Sequence, residues 1–240
     1  MLPILLLSAA GFTVLTTEFI IVGLLPGIAR DLAVSIPQAG LLVTLFAFTV
    51  ACLGPFLTAY FARFERRKLF VSIMVLFGLA NLLAAMAPNI EVMAVARLLP
   101  ALALPVFWAL ASEAAMDLVG AEQAGQAVAK ISFGVVCATV FGIPVGALVA
   151  DALGWRAAFG LLGALAFAKA LLLFFFLPTI QVHSAETSLL KQFRVLRSLE
   201  MQGTCCFRFW CFVGCSLPTP TLRTSSNAWP ASMAQSWVGA

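Results

Sequence analysis

Two charged side chains lie where charge is costly, inside long runs of apolar residues. Glu18 sits in Thr16-Thr17-Glu18-Phe19-Ile20-Ile21-Val22-Gly23-Leu24-Leu25-Pro26, well past the middle of the first run. At that depth a carboxyl faces a water-filled cavity, pairs with a base or stays protonated, and such a group is suited to carrying a proton. The structural alternative is a neutral acid hydrogen-bonded to a neighbouring helix. Arg97 lies a little over one turn inside the fourth run. A guanidinium keeps its charge at any relevant pH, so it needs an acid, backbone carbonyls or water beside it. It belongs either to a coupling pathway or to a structural, snorkelling arrangement.

Other polar residues in the runs carry less. Glu113 and Asp117 stand one turn apart near the inner end of the fourth run and read as interfacial. Lys130 and Lys169 have stems long enough to reach the inner surface, and Asn81 is a candidate for an inter-helix hydrogen bond. Gly134, Ala138, Gly142 and Gly146 recur every four residues in the fifth run, with Pro144 between the last two. That spacing lines one helix face with small residues, so a neighbouring backbone can come close, and it suits a helix that must also bend.

Six runs must position these groups, at about 4–25, 39–61, 69–87, 92–116, 126–150 and 155–177. Each is near the ~20 apolar residues that a helix needs to cross a ~30 Å hydrocarbon core. Composition agrees: 62% of residues are hydrophobic and only 10% charged, where a soluble domain carries about a quarter. The first run has no basic segment before it and contains Glu18, so it is not expected to be a cleaved signal peptide.

The second break holds Arg63, Arg66, Arg67 and Lys68 against Glu65, and the stretch after the sixth run holds Lys191, Arg194 and Arg197. The first, third and fifth breaks hold at most one base each, Arg30 and Arg156 among them. Positive loops stay cytoplasmic, which predicts a cytoplasmic N-terminus and both ends of the six-span unit inside. The net charge of +4 is scattered between apolar runs, which argues against a nucleic-acid partner.

Enzyme chemistry finds little support. The only histidine, His183, lies outside the runs, so no intramembrane Ser-His pair is available. Residues 1–178 hold no HExxH helix, no GxxxxGK[ST] loop and no metal-spaced His/Cys cluster. No cofactor or metal is expected.

The basic second loop, Pro100 and Pro105 in the fourth span and the Gly/Pro-rich fifth span together resemble the N-terminal half of the major facilitator superfamily. Within it the chain is similar to the bacterial drug:proton antiporter and sugar-efflux-like branch. Thr17-Glu18-Phe19-Ile20 with Gly23-Leu24-Leu25-Pro26 resembles that branch's first helix. Ala96-Arg97-Leu98-Leu99 resembles its helix-four arginine motif, which the family associates with proton coupling. Gly142-Ile143-Pro144-Val145-Gly146 resembles the helix-five antiporter motif, and Gly154-Trp155-Arg156-Ala157-Ala158-Phe159 the start of helix six. There are departures. The family's loop after helix two reads Gly-x-Leu-Ala-Asp-Arg-x-Gly-Arg-[Arg/Lys]; here Thr58, Ala62 and Glu65 replace its first glycine, its aspartate and its second glycine. Pro100 and Ala101 replace the glutamine and glycine usual after the helix-four arginine.

The resemblance implies an all-α membrane protein of the bacterial inner membrane, with six transmembrane helices in residues 1–178 forming one half of a major-facilitator-type fold. Residues 179–203 then resemble the cytoplasmic linker between halves. Membrane lipid is a partner, and a small-molecule substrate and a proton are partners of an intact family protein. A complete transporter of this kind has two halves around a midplane site, so a chain with one half is expected to be truncated and inactive alone. The rivals are a half-transporter acting as a homodimer and a non-transporting membrane sensor or assembly protein.

Residues 204–240 break the pattern. Cys205, Cys206, Cys211 and Cys215 cluster there without a histidine, at a spacing that matches no standard metal site. A shifted reading frame explains them better, with the tail disordered. Cys, Phe and Trp codons begin with T, and one base earlier that T becomes the middle base of a codon, where it always encodes an apolar residue. Trp210-Cys211 is then forced to Val, and Met233-Ala234 and Trp237-Val238 each to Gly.

Overall fold

A computed structural model of the protein describes residues 2–119 and 124–178. The expected linker (179–203), the tail (204–240), Glu122 and His183 lie outside the described residues.

Six helices long and apolar enough to cross a membrane fill the described chain. They are α1 (Leu2–Asp31), α2 (Ile36–Phe61), α3 (Arg66–Ala85), α4 (Ile90–Val119), a fifth span made of α5 (Ala124–Cys137) and α6 (Ile143–Leu153), and α7 (Trp155–Phe176). A chain in hydrocarbon must satisfy every backbone N–H and C=O internally, and a helix does so whichever way its side chains face. Helices α1, α2 and α4 and the fifth span outrun their apolar runs in the sequence, while α3 starts and ends earlier than its run and α7 stops one residue short. A 30-residue helix such as α1 or α4 is about 45 Å long, so its ends reach the headgroup region, where polar residues continue the ladder.

Local chemistry sets the turns. Ser35 and Gln38 close a capping box at the start of α2: the Ser35 hydroxyl accepts from the Gln38 N–H at 3.3 Å, and the Gln38 carboxamide accepts from the Ser35 N–H at 3.0 Å. The Asn89 side chain accepts from the N–H of Val92 at the start of α4. Gly154 has φ 87°, a left-handed conformation that lets α6 stop and α7 begin one residue later.

Six crossings return the chain to its starting side. The termini of the bundle and the α2–α3 and α4–α5 turns share one side, called inner below. The three other turns share the outer side. The most extensive packing joins α3 to α7 and α1 to the fifth span, followed by α2 to α4. Gly78 and Gly163 permit the packing of α3 on α7, since a Cβ on Gly78 would stand 2.8 Å from the Phe167 ring and one on Gly163 3.3 Å from the Gly78 carbonyl.

Two apolar clusters fill the interior. The inner one gathers Ile4, Leu7, Phe70, Phe77, Phe107 and Leu110. The outer one gathers Ile20, Ile28, Met93, Trp155, Phe159 and Leu162. Between them lies a polar layer, near the middle of α1 and nearer the outer ends of α3 and α4.

Candidate functional site

The polar layer is centred on Arg97, which is 2% exposed. Its Nη1 donates to the Thr17 carbonyl at 2.8 Å and its Nη2 to the Glu18 carbonyl at 3.0 Å. The guanidinium carbon stands 5.0 Å from the centroid of the Phe46 ring on α2. A planar fork fits two successive carbonyls, and the ring face adds a cation–π contact. Arg97 therefore ties α4 to α1 and α2. Among the described residues its Nε is buried with no hydrogen-bond partner.

The Glu18 carboxyl has a different status. The residue is half-buried, and among the described residues its carboxyl makes no hydrogen bond or ion pair. A carboxyl held near a buried cation, with its oxygens uncommitted, can take up a proton or a cationic group without breaking a structural contact.

Around this pair the buried hydroxyls of α1 bond locally. Thr13, Thr16 and Thr17 donate to the carbonyls of Ala9, Phe12 and Thr13. Such back-bonding satisfies a threonine inside an apolar helix. Asn81 reaches across from α3, its Nδ2 donating to the Thr17 hydroxyl at 3.3 Å and to the Phe77 carbonyl at 2.9 Å. Thr17 thus joins α1, α3 and α4. Its role escapes a reading of the sequence, although a Thr-Thr pair beside a buried acid was the available signal.

The fifth span lies against the same stretch of α1. A Cβ on Gly134 would collide with the Ser8 carbonyl, one on Gly142 with the Thr16 hydroxyl, and one on Gly146 with Ile20. Those contacts climb α1 past the polar layer, and the Ser8 hydroxyl donates to the Lys130 carbonyl at 2.8 Å. Between Gly134 and Pro144 the helix widens into a π-helical segment, Ala138–Gly142. Pro144 lacks an N–H, and a π segment is one of the few sequence-encoded causes of a bend. The fourth span, with Pro100 and Pro105 inside, is assigned as one unbroken helix.

At the inner end, the basic cluster divides. Arg63 is an exposed loop residue, but Arg66, Arg67 and Lys68 form the first turn of α3. Arg66 turns inward, its side chain 7% exposed, and pairs with Glu113 of α4 at 2.7 Å. Its Nε and Nη1 are buried without hydrogen-bond partners among the described residues. The neighbouring position where the family's loop carries an aspartate is Ala62. Arg67 donates to the Phe174 carbonyl at the end of α7, and Lys68 pairs with Glu65 at 2.8 Å. Lys169 is half-buried on α7, and Asp117 is exposed.

At the outer end, Asp31 accepts from the Trp155 indole N–H at 2.8 Å and lies 3.5 Å from Arg156. Arg156 also donates to the Ala87 carbonyl at 3.0 Å, so one knot joins the outer ends of α1, α3 and α7.

Comparison with known proteins places this architecture. The solved structure of a bacterial homolog to the human lysosomal transporter Spinster, inward-facing and unoccupied, superposes with a TM-score of 0.61 at 19% identity, over 75% of this chain and 43% of that one. The POT family transporter PepTSo gives 0.61 at 17% identity, over 72% and 36%. At such identities the likeness is one of fold. Sequence relatives are nearer. The uncharacterized MFS-type transporter YfhI of Bacillus subtilis (strain 168) is 35% identical over 162 residues, 68% of this chain and 41% of its own length. A probable sugar efflux transporter of Pasteurella multocida (strain Pm70) is 34% identical over 179 residues, 74% and 44%. The inner membrane transport protein YdhP of Escherichia coli (strain K12) is 35% identical over 176 residues, 73% and 45%. The chain thus spans less than half the length of these relatives, matching their N-terminal half. The family described as Major Facilitator Superfamily matches residues 7–239. With a match of that extent over six membrane-length helices folded around a buried arginine, this chain belongs to the Major Facilitator Superfamily.

Proposed function

We propose that the six helices are the N-terminal half of a proton-coupled efflux transporter of the bacterial inner membrane, with the N-terminus cytoplasmic. In this reading Glu18 is the proton-carrying or cation-sensing carboxyl and Arg97 holds the α1 backbone that presents it. The observation that carries it is the division of labour in the polar layer: the guanidinium is committed to the carbonyls of Thr17 and Glu18 while, among the described residues, the carboxyl stays uncommitted. Coupling-ion sites of secondary transporters lie near the midplane at the interface of two repeats. Transport then requires a second six-helix half, and a sugar, for which the Pasteurella multocida relative is named, is a candidate substrate.

Residues 204–240 read, on this proposal, as an out-of-frame translation of the start of that second half, although the family match runs in frame to residue 239. Sequencing the gene downstream of codon 195 in all three frames tests it. Helices seven to twelve in the neighbouring frame support the proposal, and a clean frame whose close relatives share the tail overturns it. Everted membrane vesicles test the coupling. This chain alone is expected to produce no substrate-driven proton flux, and the frame-restored protein a flux that Glu18→Gln abolishes. Flux that survives Glu18→Gln removes the carboxyl from the mechanism.

A homodimeric half-transporter is the second reading. It is favoured by the low burial of α2 and the fifth span, which expose Phe48, Phe56, Phe133, Phe141 and Leu148. A cross-link at dimer mass in membranes together with substrate-driven flux by the chain alone would select it.

A further inference from the structure

From the groove between α3 and α7 we infer a binding site for an anionic phospholipid of the inner-side leaflet, independent of the transport reading. The groove is shallow and open, with a volume of about 480 Å³, and is lined by Val71, Val75, Phe167, Ala170, Leu171 and Phe174, all apolar. Arg67, Val71 and Val75 stand one helical turn apart along a single face of α3, so the guanidinium crowns the groove at its inner end. It donates to the Phe174 carbonyl and lies 5.2 Å from the centroid of the Phe174 ring. A guanidinium carries five N–H donors, which leaves others for a phosphate. Arg63 is exposed in the adjoining turn, while Lys68 is matched by Glu65, so the rim is net positive.

Charge selects the occupant. A second apolar groove, about 590 Å³ between α2 and α4 on the outer side, is lined by Leu41, Phe48 and Ile90 but carries Glu91 at its rim. An anionic headgroup is repelled there and attracted at Arg67. An acyl chain lies along Val75 and Leu171 with its phosphate at the guanidinium, in the way that basic pockets between membrane helices hold acidic headgroups.

The test uses the full chain purified in detergent, with native mass spectrometry reading lipid retained after addition of phosphatidylglycerol or phosphatidylcholine of equal chain length. The expected result is several-fold greater retention of phosphatidylglycerol, brought to parity by Arg67→Gln and unchanged by Lys68→Gln, whose side chain is 83% exposed. Leu171→Trp fills the groove from a lipid-facing position with Arg67 intact; it is expected to lower phosphatidylglycerol retention, and it carries the test if Arg67→Gln does not fold. Equal retention of the two lipids by the unmodified chain overturns the site. So does retention unaffected by Leu171→Trp, or displacement by glycerol 3-phosphate as effective as by the whole lipid, which would mean a phosphate site without an acyl slot.

Discussion

Arg97 grips the main chain of Glu18, its Nη2 donating to the Glu18 carbonyl at 3.0 Å while Nη1 takes the carbonyl of Thr17. Acid and base can therefore be separated by substitution. Glu18→Gln removes no hydrogen bond of the described residues and is expected to leave the thermal unfolding midpoint in detergent nearly unchanged. Arg97→Ala strips two charge-assisted bonds and a ring contact, and is expected to cost about 1–3 kcal/mol. Arg97→Lys, which lacks the fork, should recover only part of that. A large loss of stability in Glu18→Gln would show the carboxyl to be structural.

Glu113 is the counter-charge for a guanidinium that has two further donors buried without partners. Its own side chain is half exposed, so water softens the loss, and Glu113→Gln is expected to cost about 1–3 kcal/mol. In a double-mutant cycle, Arg66→Met should recover much of that cost by removing the stranded charge. Additive losses would mean that the pair is screened and contributes little.

The glycines of the fifth span differ in the room around them. Gly142→Ala would drive a methyl group into the Thr16 hydroxyl and is expected to cost about 1–3 kcal/mol. A Cβ on Gly125 would meet nothing within 4 Å among the described residues, so Gly125→Ala should be neutral or stabilise by up to about 1 kcal/mol through helix propensity. Equal effects at the two positions would show that the fifth span stands off from α1 in the membrane.

Trp155→Phe keeps the ring that packs edge-on against Phe159 but deletes the indole donor to Asp31. A loss of about 1 kcal/mol is expected, measured by thermal unfolding. Asp31→Asn should cost somewhat more, because Arg156 then also loses its counter-charge.

Much of this could be read from the sequence, for a definite reason. A span is announced by its own composition, so the six helices appear as six apolar runs. Glu18 and Arg97 are conspicuous because charge in such a run is rare. Partnerships are less legible, because they depend on which helices become neighbours. Nothing near Arg66 says that it turns inward from its basic cluster; the cause is Glu113, 47 residues later. Nothing near Arg97 says whether carbonyls or a carboxylate will hold it. Asn81 was marked by its type, but its acceptor Thr17 emerged only when α3 lay beside α1. The π segment at Ala138–Gly142 was foreshadowed by the Gly/Pro pattern, which marks where a helix yields without specifying how.

The order in which the ribosome delivers these helices differs sharply for the two mid-chain arginines. When α4 emerges, the carbonyls awaiting Arg97 were made 80 residues earlier and can receive it at once. Arg67 waits: the carbonyl that it caps is made 107 residues after it, at the end of α7. Helix α3 therefore leaves the insertion machinery with its chief neighbour unmade and Gly78 bare. The closing event of biogenesis in this half is the arrival of α7, which reaches Arg67 at one end and, through Arg156, the Ala87 carbonyl at the other.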